Sequence, residues 1–310
     1  MRRLLGWVVG FLVLVSCRKE DVTLVDKDSE LLTVDMTVDG RDRSFLLYRP
    51  KGFNNAGALP LLFVNHGGQS TAQGMMQVAD FRALADKDKF IIIYPQGFQN
   101  TWNDGRPTTA NQLGVDDVNF FRQMCTYAVT NLSVDRSRIY VTGLSNGGFM
   151  ASRLGCELSD RIAAIAVVGA TIEQGIYASC SPSKSMPTII IQGSLDPFVP
   201  FAGGIVQPGA GGTAVSHILS IAKWVEINDC QTTPSIINLP DISSDGTTIT
   251  QTKYVGGISG SEVVGYEIAN GGHTWPQGLQ YAPESIIGKT SQDMNANEVI
   301  WTFFKRFQRE

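Results

Sequence analysis

The sequence predicts an α/β protein built on a mostly parallel central sheet with helices on both faces. Three observations carry that prediction. Short continuous apolar runs recur along the chain, as strands buried on both faces require. The stretches between them carry apolar residues at three- and four-residue spacing, the period of a helix with one buried face. No internal repeat or linker divides residues 30–310, so a single domain is expected there. Composition agrees, since 43% of the 310 residues are hydrophobic and 17% charged, enough apolar material to bury a core. The net charge of −4 argues against a phosphate-binding surface and leaves no nucleic acid among the expected partners.

The elements follow in order. Arg2 and Arg3 precede an uncharged apolar stretch at 4–15, too short for the roughly 20 residues of a membrane-spanning helix but suited to the core of a secretory leader. It ends in Leu14-Val15-Ser16-Cys17, which resembles the lipobox of bacterial lipoproteins, where the cysteine is lipidated and becomes the first mature residue. An ordinary leader cut nearby is the alternative. The expectation is a leader at 1–16, a lipidated Cys17 and a polar tether at 17–29. Arg18-Lys19-Glu20-Asp21 is similar to the surface-export signal of lipoproteins in one group of Gram-negative bacteria, and reads equally as a solvated tether. The chain is therefore expected to be exported and lipid-anchored to the outer membrane or cell surface, otherwise periplasmic or secreted.

Residues 31–38 and 44–48 alternate as an antiparallel pair around the Asp39-Gly40 turn signal. Continuous apolar runs at 59–65 and 90–94 read as buried strands, and Val78, Phe81, Leu84 and Ala85 between them have helical spacing. Asp116 and Asp117 read as the start of a helix whose apolar positions are Val118, Phe121, Cys125, Ala128 and Leu132. Further strands are expected at 139–142, 163–168, 188–192 and 263–269, with helices at 215–228 and 292–307. The Gly/Pro-rich piece 203–212 reads as a surface loop.

Chemistry concentrates at Gly143-Leu144-Ser145-Asn146-Gly147. The motif follows a predicted strand and precedes a helical run with Met150, Leu154 and Leu158 on one face, the strand–turn–helix context of a nucleophile elbow. A serine hydroxyl needs a base. Of the three histidines, His217 lies inside a predicted helix as a surface or half-buried residue, and His66 ends a strand in a structural place. His273 follows the strand at 263–269, where an α/β sheet places active residues, and is the expected base. Asp196 follows the strand at 188–192 and is the expected orienting carboxylate. The order Ser145, Asp196, His273 is that of α/β-hydrolases. The oxyanion is expected on the N–H groups of Asn146 and of Gly68, in the loop His66-Gly67-Gly68-Gln69.

Together with Tyr94-Pro95-Gln96-Gly97, Trp102-Asn103-Asp104-Gly105, Val115-Asp116-Asp117-Val118, Gly148-Phe149-Met150 and Gly272-His273-Thr274-Trp275-Pro276, these segments resemble the polyhydroxybutyrate depolymerase and feruloyl esterase-like group of secreted α/β-hydrolases, relatives of carbohydrate esterase family one. The resemblance spans residues 66–276. It implies the α/β-hydrolase fold, a serine esterase with no metal or organic cofactor, and the triad Ser145, Asp196 and His273. It further implies an acyl-enzyme route on feruloyl or acetyl polysaccharide esters or polyhydroxyalkanoate-type polyesters, so the substrate is expected to be polymeric or oligomeric. Trp102 and Trp275 are its candidate substrate-binding residues, with core filling as the other reading. Two departures stand out. Relatives often pair a cysteine near Cys230 with one after the tyrosine matching Tyr254, but Val255 and Gly256 follow here. Cys156 with Cys180 is then the expected disulfide, and Cys230 is left free or paired with Cys125. Gln96 stands where an aspartate is frequent. A peptidase or acyltransferase with the same triad, and a non-catalytic binding lipoprotein, are the alternatives.

Overall fold

A computed structural model describes residues 31–53, 57–207 and 211–309; the expected leader, Cys17 and tether lie outside them. The strands are β1 (Leu31–Val38), β2 (Arg41–Tyr48), β3 (Leu59–Asn65), β4 (Ile91–Pro95), β5 (Val134–Leu144), β6 (Ala164–Val168), β7 (Thr188–Gly193), β8 (Gly204–Ile205), β9 (Thr213–Ala214), β10 (Ser235–Asn238), β11 (Thr248–Tyr254) and β12 (Val263–Ala269). The helices are α1 (Ala72–Val78), α2 (Arg82–Asp88), α3 (Thr109–Gln112), α4 (Asp117–Asn131), α5 (Asn146–Glu157), α6 (Gln174–Ser179), α7 (His217–Asn228), α8 (Glu284–Ile287) and α9 (Ala296–Phe304).

Among the described residues ten strands form one sheet in the order β1-β2-β4-β3-β5-β6-β7-β12-β11-β10. The six strands from β4 to β12 in that order run parallel, and antiparallel pairs close both edges. Side chains of a strand alternate between faces, and the apolar runs fill both. Leu61, Phe63, Ile91 and Ile93 join the core under α4, α5 and α7, where Phe121, Phe149 and Trp224 pack. Leu62, Val64, Ile92 and Tyr94 join a second core with Met75 of α1, Ala85 of α2 and Phe304 of α9. This is the expected mostly parallel sheet with helices on both faces. Parallel strands end at one edge, so the loops after β3, β5, β7 and β12 are delivered to the same rim.

Several local expectations change. The helical stretch around Val78 to Ala85 divides into α1 and α2, because the buried Tyr94 hydroxyl donates to the Ala79 carbonyl (3.0 Å) and accepts the Phe81 N–H (3.2 Å), satisfying the break. The last helix is shorter than 292–307, with the Asn295 side chain capping its start through the Glu298 N–H. The Gly/Pro-rich piece contains β8, which pairs with β9 and turns Val206 inward. β10 and β11 were not expected, since an edge pair with Ile236 and Ile237 exposed has no continuous buried run to betray it.

Candidate active site

Ser145 stands between the end of β5 and the start of α5 with φ 56° and ψ −122°, a conformation that costs a non-glycine residue energy and is held only by its surroundings. Those surroundings are tight. A Cβ on Gly143 would lie 2.5 Å from the Gly147 carbonyl carbon, and one on Gly147 would strike the Asn65 carbonyl oxygen at the end of β3. The two glycines therefore let the helix start press against the sheet edge. The Ser145 N–H is anchored on the Val168 carbonyl of β6 at 2.9 Å. The residue is half-buried, and its hydroxyl has no hydrogen-bond partner among the described residues.

His273 and Asp196 meet although 77 residues separate them: Nδ1 of His273 lies 2.7 Å from Oδ2 of Asp196. The other carboxylate oxygen accepts the N–H groups of Phe198 (2.8 Å) and Val199 (2.9 Å), which fixes the carboxylate plane. With Nδ1–H donating to Asp196, Nε2 is the ring nitrogen left for another partner. The His273 backbone is clamped by its N–H on the Ile287 carbonyl (2.6 Å) and by the Tyr281 hydroxyl donating to its carbonyl (2.6 Å). Gly169, with φ 55°, lies against the ring, where a Cβ would come within 3.3 Å of Nδ1. Phe198 packs against the ring with centroids 5.0 Å apart. Ser145 and His273 line the same cavity, of about 910 Å³. No hydrogen bond joins them among the described residues.

The loop after β3 borders the serine. A Cβ on Gly67 would touch that of Ser145 at 3.4 Å, and one on Gly68 that of Asn146 at 3.7 Å. The Gln69 N–H is taken by the Asn100 carbonyl (2.8 Å), whereas those of Gly68 and Asn146 have no partner among the described residues. Asn146 opens α5, where orphan N–H groups and the helix dipole favour negative charge. His66 is wholly buried. It accepts the Gly97 N–H on Nε2 (2.9 Å) and directs Nδ1 to the Gly67 carbonyl (2.7 Å). Burial, aided by the charge of Arg43 and opposed by the Gly67 bond, lowers its pKa to about 4.

Neither candidate tryptophan lines the cavity, and both are buried. Trp102 is wholly buried, donating its indole N–H to the His66 carbonyl (2.8 Å) and packing on Phe121. Trp275 is buried against Phe81 with its indole N–H on Asn297 Oδ1 (2.8 Å), beside a smaller hollow. His217 is buried rather than half-exposed, because Phe201 stacks on its ring. Asp117 is more than a helix start: Asp116 caps α4, while Asp117 is buried against Arg43 (2.7 Å) and accepts the Asn103 N–H. Gln96 braces neighbouring loops, accepting the Ala72 N–H (3.0 Å) and donating to Asn100 Oδ1 (3.0 Å).

Cys156 and Cys180 form a disulfide with Cα atoms 5.1 Å apart, and Cys125 and Cys230 are both free and buried. Among the described residues no three His, Cys, Asp or Glu side chains gather as a metal site. Sequence reasoning missed Gly169, Phe198, Tyr281 and the buried pair Asp104–Arg106. Only the last had a signal, an arginine directly after the Trp102–Gly105 motif.

No family model matches the chain. Its relatives are esterases, among them feruloyl and acetylxylan esterases of fungi. It is 28% identical over 290 residues to NocK, named as a candidate esterase of Nocardia uniformis, covering 89% of this chain and 83% of that one. It is 29% identical over 200 residues to feruloyl esterase B of Piromyces equi, covering 62% of this chain but only 37% of that protein. Among solved structures, an acetyl xylan esterase from Aspergillus awamori superposes with a TM-score of 0.58 at 15% identity, over 80% of this chain and 95% of that one. The shared fold is the α/β-hydrolase type expected from the order of the site residues.

Proposed function

We propose that this relative of the feruloyl and acetylxylan esterases is itself an exported serine carboxylesterase. The observation that carries the reading is the bond from His273 Nδ1 to Asp196, which leaves Nε2 as a base on the cavity that the strained Ser145 also lines. In the mechanism His273 takes the Ser145 proton as Oγ attacks the ester carbonyl. The N–H groups of Gly68 and Asn146 hold the oxyanion. His273 returns the proton to the leaving alcohol, and water activated by the same ring releases the acid from the acyl-enzyme.

Two features bear on substrate. The cavity wall mixes Gln69, Thr101 and Gln112 with Met75, Phe198 and Val206; no carboxylate of the described residues lines it, and the arginine that does, Arg106, is paired with the buried Asp104. Such a wall suits a neutral, oxygen-rich ester with an apolar part. Polysaccharide feruloyl or acetyl esters and hydroxyalkanoate polyesters both meet that description. Export rests on the leader pattern, and the anchor on Cys17.

Replacement of Ser145 by Ala tests the reading. Labelling by a fluorophosphonate probe and hydrolysis of p-nitrophenyl acetate should both disappear, and persistent labelling would refute the assignment. An aminoacyl p-nitroanilide run in parallel should stay intact, since its cleavage would point to a peptidase. Methyl ferulate, acetylated xylan and hydroxybutyrate oligomers then rank the substrates. Metabolic labelling with palmitate should be lost on Cys17→Ser.

A further inference from the structure

Beside the proposed oxyanion groups stands a buried ion pair that the mechanism above does not use. Asp104 is wholly buried, and its Oδ2 receives three donors: Arg106 Nε (3.0 Å), Arg106 Nη2 (2.6 Å) and the side-chain amide of Asn146 (2.6 Å). Its Oδ1 accepts the Arg106 backbone N–H at 2.9 Å. The Asn146 side chain is held on its remaining sides by the Trp102 backbone, accepting its N–H (2.8 Å) and donating to its carbonyl (3.1 Å). Asn146 is thus clamped on the segment 102–104.

The clamp carries an electrostatic liability. A full negative charge sits one side chain away from an N–H on which, in the esterase reading, negative charge must accumulate. Inside a protein such like charges are poorly screened, and an uncompensated carboxylate there would oppose the oxyanion. Arg106 supplies the compensation. Its guanidinium carbon lies 4.1 Å from the centroid of the Phe149 ring, one turn of α5 beyond Ser145. Gly212 closes over the aliphatic stem, where a Cβ would lie 2.7 Å from Cγ. Arg106 also lines the cavity, while only 5% exposed.

We infer that Arg106 is a positioning residue for the ester chemistry. By neutralising Asp104 it lets that carboxylate hold the Asn146 side chain, and so aim the Asn146 N–H, without repelling the oxyanion. The inference rests on the esterase reading. It predicts a specific coupling: an arginine removed alone does more damage than the arginine removed together with the charge it compensates.

The test is a double-variant cycle on p-nitrophenyl acetate hydrolysis by the whole protein, with folding checked by far-UV circular dichroism. Arg106→Met should lower kcat by roughly 10²-fold, the scale of losing one oxyanion donor, with KM changed by less than about threefold. The double variant Asp104→Asn/Arg106→Met should regain about tenfold of that loss, because no buried charge is then left alone. A folded Arg106→Met protein with wild-type kcat overturns the inference, and so does a double variant no faster than the single one. Should Arg106→Met fail to fold, Arg106→Gln, which can still donate to Asp104 but carries no charge, enters the same comparison under the same criteria. A wild-type protein that takes no fluorophosphonate and cleaves no ester sinks the esterase reading itself; an active wild type without the coupling sinks only this inference.

Discussion

The ring of His217 lies nearly flat on that of Phe201, with centroids 4.7 Å apart and 18° between planes, and its buried Nδ1 has no hydrogen-bond partner among the described residues. Phe201 belongs to the segment that follows Asp196, and its carbonyl accepts the His217 N–H at 3.0 Å. The start of α7 is therefore packed against the strand-end loop that carries the carboxylate.

Acid stability follows from this contact and from His66. Burial lowers both pKa values from 6.5 to about 4. The unfolded chain therefore binds these protons first, so the contribution of both rings is complete above about pH 6.5 and is lost as pH falls toward about 4. Each is worth on the order of 3 kcal/mol. Asp245, lowered to about 2 by hydrogen bonds from Thr247 and Gln292 that outweigh its burial, acts in a lower window, from about 3.8 downward. Thermal unfolding midpoints should consequently fall between pH 6.5 and 4. A His217→Gln protein should show about half the wild-type dependence in that interval. An unchanged slope in the variant would contradict the assignment.

Asp196→Asn should leave the fold intact and remove nearly all turnover. Both oxygens of Asp196 accept N–H bonds, one from the His273 ring and one from two backbone groups. An amide nitrogen facing His273 favours the other tautomer, with Nε2 protonated and unable to take the serine proton. The expected loss in kcat at neutral pH is about 10⁴-fold, with stability within about 1 kcal/mol of wild type. Steady-state kinetics beside urea unfolding separates the two effects.

Gly147→Ala tests the elbow as packing. The added methyl would meet the Asn65 and His66 carbonyls, backbone atoms that no rotamer change can move. A cost of about 1–3 kcal/mol is expected, together with a fall in ester hydrolysis as Ser145 shifts. Urea unfolding should register the first. A fully stable and fully active Gly147→Ala protein would show that the turn has more room than these distances allow.

The disulfide closes 24 residues between the end of α5 and the residue after α6. On the chain-entropy account, Cys156→Ser/Cys180→Ser should destabilise the protein by about 3 kcal/mol. Neither cysteine lines the cavity, so kcat of the folded variant should remain within about twofold of wild type. Cys125, whose pKa burial pushes up to about 12, should stay unmodified by iodoacetamide until the chain unfolds.

What the sequence determined by itself is local in origin. Continuous apolar runs are intrinsic to a segment, so β3, β4, β6 and β7 were legible, and the glycines around Ser145 announced a tight strand-to-helix turn before any contact was known. The positions of Asp196 and His273 after strand ends were legible for the same reason. Tertiary structure alone decided what covers each side chain. Trp102 and Trp275 carry indoles that a cavity or a core would bury equally well, and only packing assigned them to the core. β10 and β11 depend on an edge for their pairing, and Gly169 is pressed on His273 across a distance of more than a hundred residues. The neutralisation of Asp104 by Arg106 belongs with these, because the charge balance of a buried site depends on what surrounds it in space.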